Sequence, residues 1–159
     1  MTDPGRQSPP GGLSETASRE LAEIYARLDA AVAATGVRCF LRGHCCDFTK
    51  ADHRLFASSV EIAYVREAHP APFSPGSPLC PFWRDGLCHE RERRPLGCRT
   101  YFCDEVRGGD AAALYERFHA EVRDLADRHG IEYRYEPFVD ALRRPAREAA
   151  FHRDTTSGA

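Results

Sequence analysis

Seven cysteines fall between Cys39 and Cys103, and none lies elsewhere in the 159-residue chain: Cys39, Cys45, Cys46, Cys80, Cys88, Cys98 and Cys103. Sulfur concentrated in this way ligates a metal, forms disulfides or carries out thiol redox chemistry. A single free cysteine is a good core residue, small and apolar, and that reading suits Cys39 or Cys103 alone. It does not account for seven in one segment. An odd count leaves one thiol over after full pairing. The first twelve residues hold no apolar stretch of the secretory kind, and no run approaches the ~18 apolar residues that span a bilayer. A cytoplasmic location is therefore expected, where thiols stay reduced, and metal ligation is favoured over disulfides.

Spacing narrows the chemistry. Cys45 and Cys46 are adjacent, and Cys39 lies six positions before Cys45. Seven residues separate Cys80 from Cys88, nine separate Cys88 from Cys98, and four separate Cys98 from Cys103. No Cys-x-x-Cys pair is present, which excludes a zinc ribbon or a thioredoxin-type motif. The stretch Cys39-Phe-Leu-Arg42-Gly43-His44-Cys45-Cys46 resembles the Cys-x-x-Cys-x-x-Cys-Cys signature of the YkgJ-type cysteine-cluster family, described as zinc- or iron-chelating domains. The second half is similar to the same family. Cys80-Pro81-Phe82-Trp83, Gly86-Leu87-Cys88 and Arg94-Pro95-Leu96-Gly97-Cys98-Arg99-Thr100-Tyr101-Phe102 follow its Cys-Pro-Phe-Leu, Cys, Arg-Pro and Cys-Arg-x-Phe order. The resemblance spans residues 39–103 and implies metal chelation, with the best-matched ligands at Cys46, Cys80, Cys88 and Cys98, then Cys45. Arg42 stands where the signature has its second cysteine. A guanidinium is no metal ligand at ordinary pH, so that position is either dispensable or replaced by Cys103. The flagellin lysine methylase, a distant relative of the family, shares a similar cysteine pattern, which keeps catalysis in view.

Structural zinc sites use ligands in tight pairs. The gaps here are long and proline-flanked, and an iron–sulfur cluster tolerates irregular spacing because four thiolates need only reach its corners. The expected cofactor is an iron–sulfur cluster of the 4Fe–4S type, with zinc or mononuclear iron as alternatives. The expected role is structural or electron-transferring. A metal-dependent enzyme, acting in redox chemistry or side-chain modification, and a zinc-stapled protein-interaction module are the competing readings. Three further thiols remain for a second metal or for redox work.

His44 and His89 neighbour cysteines, although such histidines are more often solvated bystanders. His53, His69, His119, His129 and His152 show no partner pattern. Arg94 and Arg99 bracket Cys98. Their donors could stabilise thiolates or hold an anionic substrate, or could simply pair with Glu90, Glu92 or Asp104. Trp83, Tyr101 and Phe102 are expected to pack beside the metal and exclude water. Residues 84–107 hold six Arg against five acids, and the chain carries a net charge of -2. No basic groove for nucleic acid follows, and no phosphate loop, nucleophile elbow or dinucleotide fingerprint is present. Of 22 basic residues only Lys50 is Lys, a bias that fits a GC-rich genome.

The elements that must position these residues read as a small, mainly helical α+β fold. It is expected to be one domain over residues 13–153, with a motif core at 39–103 and long cysteine-rich loops ordered by a metal. Residues 1–12 and 154–159 read as a disordered tail and a frayed tail. Ser14 and Gly36 bracket a first helix with Leu21, Ile24, Tyr25, Leu28 and Val32 on one face. Thr49 is placed as the cap of a short helix through Phe56. The alternation of Val60, Ile62 and Tyr64 favours a short strand. Five prolines between Pro70 and Pro81 exclude regular structure there. Asp110 and Gly130 bracket the strongest helix, with Leu114, Phe118, Val122 and Leu125 inward. A half-buried strand is expected over Ile131, Tyr133 and Tyr135, with helical pieces at Phe138–Leu142 and residues 146–152.

Overall fold

The computed structural model describes residues 12–39, 44–51, 54–101 and 108–145. The expected tails, the helical piece at 146–152, Arg42, His53, Phe102, Cys103 and His152 lie outside these residues. The fold is mainly helical α+β. Its elements are α1 (Glu15–Ala34), a 3-10 turn (His44–Cys46), α2 (Phe48–Ala51), β1 (Phe56–Ser58), α3 (Ser59–Ala68), β2 (Trp83–Arg84), β3 (Leu87–Cys88), α4 (Leu96–Thr100), α5 (Gly108–Arg128), β4 (Tyr135–Pro137) and α6 (Phe138–Arg143). No helix among the described residues is long and apolar enough to cross a membrane.

Helix α1 forms where its caps allow. The Ser14 hydroxyl accepts from Ala17 N at 3.2 Å, and Gly36 leaves the helix at φ 75°, a left-handed conformation that glycine adopts without a Cβ clash. Its apolar stripe, Leu21, Ile24, Tyr25 and Leu28, is buried against α5 and α4. From α5 come Phe118, Val122, Leu125 and Ala126, also buried, with Leu114 half-buried. Gly130 ends that segment at φ 63°. Asp110 stands in the first turn of α5 rather than at its cap.

Helix α3 replaces the strand expected at Val60–Tyr64. Ser58 and Glu61 form a capping box, with Ser58 Oγ accepting from Glu61 N at 3.3 Å and Glu61 Oε2 accepting from Ser58 N at 2.8 Å. Every residue from Ser59 to Arg66 is buried, so the apolar pattern carried no information about period. The strand lies just before it. β1 pairs antiparallel with β4 in the register Phe56↔Pro137, Ala57↔Glu136 and Ser58↔Tyr135. Phe56 therefore belongs to a strand, not to the end of a helix. Thr49 sits inside α2, whose first turn is closed by Asp47 Oδ1 accepting from Thr49 N at 3.3 Å and Thr49 Oγ1 at 2.6 Å. The strand expected over 131–135 is shifted to β4. Ser59 holds residues 132–134 instead, with Oγ donating to Glu132 O at 2.7 Å and N donating to Arg134 O at 2.8 Å.

The proline-rich residues 69–79 are irregular and form a strap. Arg66, 2% exposed, donates to Ala71 O at 3.0 Å on the strap. The same guanidinium donates to Ala141 O at 3.0 Å, Leu142 O at 2.8 Å and Arg144 O, closing the C-terminal end of α6. Phe73 N donates to Leu142 O at 3.1 Å, and the Phe73 ring meets Phe82 edge-on at 5.0 Å. The segment after the strap is more regular than its Gly and Pro content suggested. Asp85 and Gly86, at φ 51° and 79°, make the two-residue turn of a hairpin that pairs Trp83 with Cys88 and Arg84 with Leu87. Two consecutive positive φ angles match the right-handed twist of a tight hairpin.

Candidate metal centre

Three chain segments bring sulfur together. The 3-10 turn supplies Cys45 and Cys46, the strap and hairpin supply Cys80 and Cys88, and α4 supplies Cys98. Backbone bonds fix each approach. Cys80 N donates to Cys46 O at 3.0 Å, beside an antiparallel bridge between Asp47 and Leu79. Trp83 N donates to Cys80 O at 3.0 Å, and His89 N to Phe82 O at 2.8 Å, so the hairpin is tied back to Cys80. Cys98 N donates to Pro95 O at 2.9 Å as α4 begins.

Glu61 sets the position of α4. It is 1% exposed, and its Oε1 accepts from Leu96 N at 2.7 Å and from Tyr25 Oη at 3.4 Å. One carboxylate thus caps α3 and α4 and touches α1. Arg99 completes the frame. It is buried, donates to Asp29 Oδ2 at 2.6 Å, Arg94 O at 2.8 Å and Glu92 O, and stacks over the Tyr25 ring at 4.0 Å. Arg99 is a tie between α1 and the segment before α4; its carboxylate partner is Asp29, and of Glu92 it takes the backbone carbonyl. Arg93 turns away from the cysteines to Glu67 at 2.8 Å and Tyr64 O at 2.7 Å.

All six described cysteines are free thiols. Cys46 and Cys80 are buried, Cys45, Cys88 and Cys98 half-buried, and Cys39 exposed at the rim. The Cys45 and Cys46 sulfurs lie 3.9 Å apart. Cys46 is the hub. Hydrogen bonding with Cys45 first, then Cys80 and Cys88, raises its pKa far above the ordinary range. The hydrogen bond with Cys46 holds Cys45 down to about 6, against the burial and the Cys88 charge that oppose it, with help from Arg94. Cys88 is also held at about 6, by Cys46 first, then the Glu90 backbone N–H and the Arg94 and Arg91 charges. Cys80 is lowered by Cys46 and by the Phe82 backbone N–H. Cys98, half-buried by exposed area, sits deep enough that burial pushes its thiol up, and the Cys80, Cys45 and Cys88 charges push it further.

The thiols open on a cleft of ≈ 230 Å³, lined by Cys39, Cys45, Cys46, Cys88 and Cys98 with Arg91, Arg94, Leu87 and Tyr101 among others. Among the described residues, no three Cys, His, Asp or Glu side chains already stand in a metal-gripping array. Three of the described histidines are engaged elsewhere. His69 pairs with Glu90 at 2.5 Å, His129 with Glu20 at 3.2 Å, and His119 with Tyr133. His89 is exposed. Trp83 is half-buried, and Tyr101 is 40% exposed at the mouth of the cleft. Sequence reasoning missed Glu61, Asp29 and Arg93. The capping-box spacing Ser58-x-x-Glu61 was the available signal for the first, and nothing local marked the others.

Fold and site together define a mainly helical α+β protein with five thiols gathered at a cleft. Neither a scan against family models nor searches of the curated proteins and of the solved structures returned a match.

Proposed function

We propose that this protein binds a metal through Cys46, Cys80, Cys88 and Cys98, with Cys45 as a further ligand, and that the metal is held as an iron–sulfur cluster with a structural or electron-transfer role. The observation that carries the reading is that thiols from three separate segments act on one another: Cys45, Cys80 and Cys88 perturb Cys46, Cys98 feels the Cys80, Cys45 and Cys88 charges, and Cys45 and Cys88 are held down to about 6. Thiolate is the metal-binding form, so such thiols release their protons to a metal readily at neutral pH. An all-sulfur donor set suits iron–sulfur clusters or zinc, and not the hard cations that take oxygen. The likeness to YkgJ-type chelating domains supports the same reading, and a reducing cytoplasm is the compartment that would keep these thiols free.

The test is metal and sulfide analysis of the full chain purified without oxygen. Iron with equimolar acid-labile sulfide and broad visible absorbance is expected, lost in Cys46→Ser and kept in Cys39→Ser. A colourless protein with one zinc per chain replaces the cluster by a zinc site. A chain that takes up no metal under these conditions ends the proposal. The cleft against the thiols favours a second reading, catalysis at the centre, because half-buried Cys45 and Cys88 stay within reach of a small molecule.

A further inference from the structure

The four residues Arg91-Glu92-Arg93-Arg94 are sorted by the fold. Arg93 is committed to Glu67 and Tyr64 O. Arg99 holds Glu92 O and Arg94 O, pinning the backbone of the run. That leaves the Arg91 and Arg94 guanidinium groups on the wall of the thiol cleft. Neither has a carboxylate partner among the described residues. Both charges act on Cys88, and Arg94 also acts on Cys45 and Cys98. A guanidinium on a cleft wall with no carboxylate partner is a ready partner for a carboxylate ligand. The cleft is also lined by Val32, Ala33 and Val37 near the end of α1 and by exposed Leu87 and Tyr101, with the Asp29 carboxylate beside them held by Arg99.

We infer that the cleft binds a small amphipathic carboxylate, its carboxylate held by Arg94 and Arg91 and its short hydrocarbon body against the end of α1 and Leu87. Guanidinium recognises a planar carboxylate through two parallel N–H bonds, and a cleft of ≈ 230 Å³ limits the guest to a few carbons. The inference rests on the proposed metal centre only in that the cysteines form the floor of the cleft.

Calorimetric titration of the full chain, purified without oxygen, tests it with hexanoate, hexanamide and inorganic phosphate as probes. Hexanoate is expected to bind one to one. Hexanamide, which lacks the charge, and phosphate, which lacks the apolar body, are each expected to bind at least about tenfold more weakly. Arg94→Gln and Arg91→Gln should each weaken hexanoate about tenfold, since a hydrogen bond to a charged group is lost. Arg84→Gln, on the hairpin outside the cleft, should leave it unchanged. Arg91 is exposed, so its replacement keeps the fold even if Arg94→Gln does not. Equal binding of hexanamide, equal loss in Arg84→Gln, or no saturable heat with hexanoate overturns the inference. Metal content is measured on the same samples. Metal present without hexanoate binding refutes the ligand alone, and hexanoate binding without metal refutes the centre alone.

Discussion

Replacing Glu61 by Gln changes one oxygen into an amine at a site with no room for a second donor. Oε2 accepts from Ser58 N at 2.8 Å and Ser58 Oγ at 2.7 Å, and Oε1 accepts from Leu96 N at 2.7 Å and Tyr25 Oη at 3.4 Å. The two hydroxyls can turn and accept from the new amine. The two backbone N–H groups cannot. Whichever way the amide faces, one buried N–H meets an N–H and is left without an acceptor. A hydrogen bond to a charged group contributes about 1.5–3 kcal/mol, and an unsatisfied buried donor costs about 1–3 kcal/mol. These overlap, so a loss of about 3 kcal/mol is expected. For a chain of this size that lowers Tm by about 6–12 °C. Urea unfolding followed by the fluorescence of the single Trp83 measures it, and Ser58→Ala, expected to lose about 1 kcal/mol, serves as the companion. A Glu61→Gln protein within about 0.5 kcal/mol of the parent, the scatter of ordinary surface changes, refutes the assignment of Glu61 as the joint between α3 and α4.

Arg66→Met leaves the carbonyls of Ala71, Ala141, Leu142 and Arg144 without their shared donor, and urea unfolding should show a loss of about 3 kcal/mol. Gly86→Ala forces a Cβ onto a φ of 79° and should cost about 1 kcal/mol by the same assay, with altered metal content if the hairpin sets Cys88. In chelator-treated protein, alkylation by iodoacetamide at Cys45 and Cys88 should rise with a midpoint near pH 6, read by peptide mass spectrometry, while Cys98 resists until alkaline pH. The sign for stability follows. These two folded-state values lie below the ordinary 9.0, so the thiolates' contribution is complete above pH 9.0 and is lost as pH falls through 6. A midpoint above pH 8 at both cysteines refutes the stabilisation of their thiolates by Cys46.

The two long helices were readable because their signals are local: Ser14 and Gly36 around α1, and a stripe of Phe118, Val122 and Leu125 in α5. Helix α3 was not, because burial on all sides erases the difference between a period of two and one of 3.6. The meeting of the two cysteine-bearing stretches could be inferred from sulfur count and order. The hairpin that delivers Cys88 was written in Asp85-Gly86, a strong two-residue turn signal that the surrounding Gly and Pro obscured. The Arg99–Asp29 tie joins residues 70 positions apart and depends on how α1 docks, which no local pattern encodes.

The strap of residues 69–79 also orders events in time. It is fastened to Leu142 O through Phe73 N, and Arg66 reaches it and α6 together. On the ribosome, Cys45 through Cys98 emerge while α6 is still unsynthesised. The nascent chain therefore displays its sulfurs before the clasp between the strap and α6 exists, and translation must run past residue 142 before that strap can lock.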